Sequence, residues 1–175
     1  MSIVIREGKK EDMPAVLNLI QELATFEREP NAVVVTVDDL VRDGFSDYPL
    51  FQTFIAEYEG EIVGMALFYN RYSTWKGKTI HLEDLIVKES KRQFGIGKAL
   101  YDTVLTYAVK EKVRRVEWVV LDWNTPAIDF YIKSGARILS DWETVQMSEE
   151  NLAKYVKSIS NEIVGLKKTQ LRSNH

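Results

Sequence analysis

Three strand-like runs, 51–58, 62–71 and 79–87, follow one another with only short turns between them. Glu59-Gly60 separates the first pair and Lys76-Gly77-Lys78 the second. Turns of this kind join neighbouring antiparallel strands, so the segment is expected to be a meander. The third run is irregular. Ile80 and Leu82 alternate with polar residues in one phase, Leu85 and Val87 resume in the other, and Glu83-Asp84 stands at the break. A one-residue phase flip is the mark of a β-bulge, which bends a strand from its neighbour and frees backbone groups for a ligand.

The meander is embedded in an alternating order of elements. Ser2–Arg6 reads as a short strand. Met13, Val16, Leu17, Ile20, Leu23 and Ala24 fall at helical spacing, with Pro14 near the start, where its missing N–H costs nothing. Asp38–Arg42 reads as a second, short helix ended by Gly44. After the meander come RQFGIG at 92–97 and a helix with an apolar stripe of Tyr101, Val104, Leu105 and Ala108. Arg115–Val120 reads as a strand, with Val119, Val120 and Leu121 of buried type. Asn124-Thr125-Pro126 opens a helix that Gly135 closes. A last strand is expected near Thr144–Met147 and an amphipathic helix over roughly 148–166. The order predicts an α/β fold, a mixed sheet with helices on both faces. One domain is expected over 1–166, with 167–175 as a polar, disordered tail.

Composition removes several chemistries. With 175 residues, 45% hydrophobic and 28% charged, the chain suits one soluble domain with a full core. A formal charge of −3 and the lack of a basic arm argue against nucleic acid. There is no cysteine, so disulfides, thiolate metal sites and cysteine nucleophiles are excluded. His81 and His175 are the only histidines, too few for a histidine-built metal site, and no metal is expected. The start MSIVIREGKK has no apolar signal core, and the longest apolar run, Ile62 to Tyr69, is too short to span a bilayer. A cytoplasmic location without a membrane partner is the expectation.

RQFGIG sits between the bulged strand and a helix start. A Gly-x-Gly pair alone also serves as a turn and helix cap. Here glycine lets backbone approach an anion, and the first helical N–H groups lack partners at the positive end of the helix dipole, so the loop suits a pyrophosphate. A P-loop would need Ser or Thr where Ala99 stands, and a dinucleotide-binding loop would need glycine at Leu100. Arg/Gln-x-x-Gly-x-Gly/Ala after the fourth strand resembles the pyrophosphate loop of the GNAT (GCN5-related) N-acetyltransferase superfamily. The element order is similar too, across nearly the whole chain. The resemblance implies a mostly antiparallel sheet with a splayed central strand pair. It also implies acetyl-coenzyme A (acetyl-CoA) as cofactor, with pantetheine along Leu85, Ile86 and Val87. Arg92, Gln93, Phe94, Gly95, Ile96, Gly97 and Lys98 would hold the pyrophosphate.

The rest of the site follows from the chemistry. Attack of an amine on a thioester expels a thiolate, and a phenol with pKa near ~10 can donate a proton to it. DFYIKSGA resembles the superfamily's N-F-Y-x-x-x-G pattern and makes Tyr131 the candidate general acid; without that role it would be a half-buried aromatic. Asn124, seven residues earlier, is expected on the same side of the same helix. The amine must lose a proton as well, at a cost of roughly 4–5 kcal/mol for an alkyl ammonium near neutral pH. Glu83 and Asp84 at the bulge are candidates for a base acting through water and for a charge that attracts the ammonium. Adjacent strand residues point to opposite faces, so one of them is expected to face the substrate.

Within the superfamily, YSTWKGKTIHLEDLIV at 72–87, VLDWN at 120–124 and ELATFE at 22–27 resemble the diamine (spermidine/spermine) N-acetyltransferase family, closest to its thialysine Nε-acetyltransferase branch. That resemblance implies a homodimer and a small aminoalkyl substrate. Phe26 and Glu27 would line the amine site, Glu83 would be the water-mediated base, and Glu117, Trp118 and Val119 would line the substrate channel. Asn124, Thr125, Pro126, Ala127 and Tyr131 would contact coenzyme A. Trp75 and Trp123 would flank an ammonium by cation–π contact, or serve packing. Ser73 stands where the polyamine-specific branch is acidic, removing a contact worth ~1–3 kcal/mol to a distal ammonium. Shorter amines are therefore expected to be preferred. Two other activities are compatible with the fold: acetylation of protein lysines or N-termini, and acyl-CoA binding without catalysis.

Overall fold

A computed structural model describes residues 3–159. Compactness divides the chain into two units, Met1–Ala127 and a second that begins at Ile128.

The first unit is built on a five-stranded sheet in the order β1-β2-β3-β4-β5: Ile3–Glu7, Gln52–Tyr58, Glu61–Ser73, Gly77–Val87 and Val116–Glu117. The first three pairings are antiparallel and the last, β4 with β5, is parallel. The mixed sheet predicted from the element order is therefore present, and it is mostly antiparallel, as the resemblance implies. Both expected turns are present, with Glu59, Gly60 and Gly77 at positive φ. The Ser73 hydroxyl accepts hydrogen bonds from the Trp75 and Lys76 N–H groups at 3.3 and 3.2 Å, pinning the second turn.

Helices cover both faces. α1 (Met13–Phe26) and α2 (Val37–Gly44) lie on one, where Met13, Val16, Leu19 and Leu40 pack with Ile55, Met65, Leu67 and Ile86. Pro14 is in the first turn of α1, and Thr36 and Asp39 form a capping box at the start of α2. α3 (Ile96–Lys110) covers the other face with buried Leu100, Tyr101 and Val104, and its Tyr107 meets the rings of Phe54 and Phe68. Each large side chain so buried contributes ~1.5–3 kcal/mol.

The bulge is where the phase flip placed it. Leu67 pairs with Asp84 and Phe68 with Leu82, leaving Glu83 as the extra residue of β4. The β4–β5 ladder ends two residues earlier, at His81 opposite Glu117. Among the described residues β4 has no ladder to β5 beyond that point, which is the splay expected of the central pair.

Three expectations need correction. The strand predicted over Arg115–Val120 is only Val116–Glu117, because the bulge turns β4 away and ends the pairing. Val119 is 69% exposed rather than buried, since it lies past the ladder in the approach to a turn closed by Asn124 N–H on Leu121 O. Thr144–Met147 forms no strand; its alternating pattern has no partner edge, and Val145 is 92% exposed.

α4 (Thr125–Lys133) ends as predicted at Gly135, at φ +97°. Gly135 N–H bonds Ile132 O and Ala136 N–H bonds Tyr131 O, both at 3.0 Å, a Schellman ending. Residues 149–159 form a helix, α5, started by Ser148, whose hydroxyl accepts from Asn151 N–H and whose carbonyl accepts from Leu152 N–H. The remainder of the expected helix and the 167–175 tail lie outside the described residues. No helix among the described residues is long and apolar enough to cross a membrane.

Candidate active site

The site grows from the bulge. In a regular strand Glu83 and Asp84 would face opposite ways. Here Asp84 pairs with Leu67, a core residue under α1, while Glu83 reaches Tyr69, which is two residues along β3 on that same face. The extra residue therefore brings both carboxylates to the face that carries α1. The expectation that only one would point there is corrected, because period-two alternation fails across a bulge.

Their surroundings differ. Asp84 is half-buried, and its carboxyl is pushed up to about 6, first by burial and then by the charges of Glu83 and Glu27. Glu27 closes the C-terminal end of α1, and burial raises its carboxyl as well. Glu83 is exposed, its charge acts on the Tyr69 hydroxyl, and one of its oxygens lies 3.5 Å from His81 Nε2. Three acidic groups converge here, an arrangement that favours an ammonium guest.

Around Phe26 lies an aromatic stack. Its ring is 5.6 Å from that of Trp123, Arg28 sits 4.4 Å over Trp123, and Arg92 sits 5.0 Å over Phe26. The stack joins the end of α1, the glycine loop and the segment before α4. Sequence reasoning missed Arg28, whose positive φ of 68° folds it back at the helix end.

The glycine loop has the shape its residues predict. Gln93 and Gly95 have positive φ, and Gly95 caps α3 from the left-handed region. Ala99 N–H makes a helical bond to Gly95 O, so the N–H groups of Ile96, Gly97 and Lys98 precede the ladder. A Cβ on Gly97 would meet Val87 Cγ2 at an ordinary 3.6 Å. Nothing in the chain's own packing demands glycine there, whereas a bound anion would, since a Cβ would stand in the cradle. These residues thus fit a pyrophosphate. Lys98 pairs with Asp102 at 2.5 Å, and Phe94 lies 5.8 Å from the ring of Tyr58. Along β4, Ile86 is buried, while Leu85 and Val87 are half-buried.

Other predicted residues are placed differently. Glu117 shares the face of His81 but is ion-paired to both Arg71 and Arg115, so its charge is already matched. Trp118 meets Tyr101 of α3 edge-on, at 5.6 Å, on the opposite face. Trp75 is 78% exposed at the tip of the β3–β4 turn, away from the bulge. Asn124 stands just before α4 rather than within it, and its Oδ1 accepts from Ala127 N–H at 3.4 Å. Thr125 and Pro126 follow in the first turn and are exposed. In the second unit Tyr131 is buried beside Phe130, ring to ring at 5.4 Å. Among the described residues no acidic or histidine cluster suits a metal.

A bulged strand runs into a glycine-capped helix start on a mixed sheet, and comparison with known proteins places this fold. The profile of the Acetyltransferase (GNAT) family matches residues 14–136, and the chain belongs to that family and is an acetyltransferase. It is 38% identical over 149 residues to thialysine N-epsilon-acetyltransferase of Bos taurus, covering 81% of this chain and 88% of that one. It is 34% identical over 158 residues to the human spermidine/spermine N(1)-acetyltransferase-like protein 1, covering 85% of this chain and 23% of that longer one. An integron cassette protein from the mobile metagenome of V. cholerae has the same fold, with a TM-score of 0.74 and 23% identity over 90% of this chain and 99% of the other.

Proposed function

We propose that this acetyltransferase moves the acetyl group of acetyl-CoA to a primary amine of a small aminoalkyl substrate, thialysine- or lysine-like or a short diamine. The observation that carries the reading is the carboxylate pair that the bulge turns to one face, on the strand that precedes the glycine cradle. The names of the relatives support the amine class.

When bound, acetyl-CoA supplies a thioester whose carbonyl carbon accepts the amine nitrogen and whose sulfur leaves as thiolate. Gln93–Lys98 hold the pyrophosphate with backbone N–H groups, and Arg92 adds charge; Leu85–Val87 take the pantetheine arm, with Asn124–Ala127 beside it. Glu27 and Asp84 draw the ammonium in, and Phe26 packs its alkyl chain. Glu83, the exposed carboxylate, takes the ammonium proton through water and passes it to solvent. Tyr131 protonates the departing sulfur. A homodimer in the cytoplasm completes the reading; a solution mass of a single chain or a membrane-bound fraction would count against it.

Thiol release with thialysine and acetyl-CoA tests the assignments. Glu83→Gln and Tyr131→Phe are each expected to lower kcat by roughly 10²-fold with acetyl-CoA binding retained. Full turnover in either variant removes that residue from its role.

A further inference from the structure

The face that holds Glu83 carries groups that neither the cradle nor the acetyl transfer uses. Tyr69 and His81 are direct partners across the β3–β4 ladder, and their rings stack at 5.3 Å. His81 lies two residues before Glu83, is 14% exposed, and directs Nε2 to the Glu83 carboxylate at 3.5 Å. Its Nδ1 is buried with no hydrogen-bond partner among the described residues, and Glu83 is the charged group nearest its Nε2. The Tyr69 hydroxyl faces the same carboxylate, and its phenol is raised first by burial and then by the Glu83 charge.

The other charged groups near this face, among the described residues, include Glu27 at the end of α1, Arg71 on β3, Asp84 on β4, and Arg115 and Glu117 beside and on β5. They divide the work. Glu117 is matched by two guanidinium groups, which neutralise it permanently. Glu83 instead has a phenol and an imidazole beside it. A carboxylate at an exposed bulge has many rotamers, and a base must meet its proton within hydrogen-bond reach.

We propose that Tyr69 and His81 are positioning residues that lock the Glu83 carboxylate in its proton-accepting orientation, with the Tyr69–His81 stack fixing the two donors relative to each other. This rests on the reading of Glu83 as base. The role is indirect, so its signature is coupling to Glu83 and a split between kcat and KM.

The test is steady-state kinetics of the full chain with thialysine and acetyl-CoA, for Tyr69→Phe, His81→Phe and His81→Gln, alone and with Glu83→Gln. Each ring substitution keeps the stacked area, and acetyl-CoA binding confirms a folded site. Tyr69→Phe and His81→Phe are expected to lower kcat roughly 5- to 20-fold, the loss of one polar partner beside a charged group, with the KM for acetyl-CoA unchanged. His81→Gln, whose amide N–H reaches the same carboxylate, is expected to recover most of the rate. Added to Glu83→Gln, either loss should vanish. Wild-type kcat in Tyr69→Phe and His81→Phe, or losses that persist in full beside Glu83→Gln, would overturn the proposal. Full activity of Glu83→Gln alone would instead overturn the base on which it rests.

Discussion

At Asp84 a carboxyl sits half-buried between Glu27 and Glu83, held near 6 against an ordinary value of 3.8. Because the folded chain binds this proton more tightly than the unfolded chain, the penalty is absent below about pH 4. It appears as pH rises through the interval up to about 6, and is complete above it. Asp84→Asn should therefore be more stable than the wild type at neutral pH by roughly 1–2 kcal/mol, a figure reduced for partial exposure. It should also lose the fall in stability across that window, and the amine KM should rise. Urea melts from pH 4 to pH 8 check this; the same pH slope in both proteins would contradict it. Glu83 as the bulged residue was legible in the phase flip between Leu82 and Leu85. That Asp84 shares its face was not, because strict alternation describes a strand only where each residue has one partner. Tyr69 was silent for a related reason: a tyrosine in a strand looks the same whether or not a carboxylate lies across the ladder.

At the scale of elements, two glycines separate binding from packing. A Cβ on Gly64 would come within 2.8 Å of Ile86 O and 3.3 Å of Leu100, so this glycine lets β3 and β4 lie close beneath α3. Gly64→Ala is expected to cost about 2 kcal/mol or more in thermal or urea unfolding. Gly97→Ala should leave stability unchanged or raise it by up to ~1 kcal/mol, since alanine is the better helix former, while weakening acetyl-CoA binding at least tenfold. Calorimetric titration and melting of the two variants distinguish them; a Gly97→Ala chain that binds acetyl-CoA normally would contradict the cradle. The meander, both early helices and the glycine loop were readable because each has its own local signal, either apolar period or turn chemistry. The strand over Arg115–Val120 and the one near Thr144–Met147 were overread. Their patterns are strand-like, but pairing depends on an edge elsewhere in the chain, and a short stretch of sequence holds no information about that edge.

For the molecule as a whole, family and fold come from agreement among many weak signals: strand order, bulge, glycine loop and the Schellman ending after DFYIKSG. In the function proposed here, substrate choice rests on fewer groups, chiefly Glu27, Glu83, Asp84 and the Phe26–Trp123 stack. Ser73 offers no charge to a distal ammonium and is engaged in its own turn. The account therefore separates short amines from long ones. The most direct test is thiol release from acetyl-CoA across thialysine, lysine, diaminopropane, putrescine, spermidine, spermine and a histone-tail peptide, under one set of conditions. The account predicts the highest kcat/KM for thialysine or a short diamine, with spermine and the peptide at least tenfold lower. Turnover of spermine far above every shorter amine, or acetyl-CoA that binds and is never consumed with any of them, would contradict it.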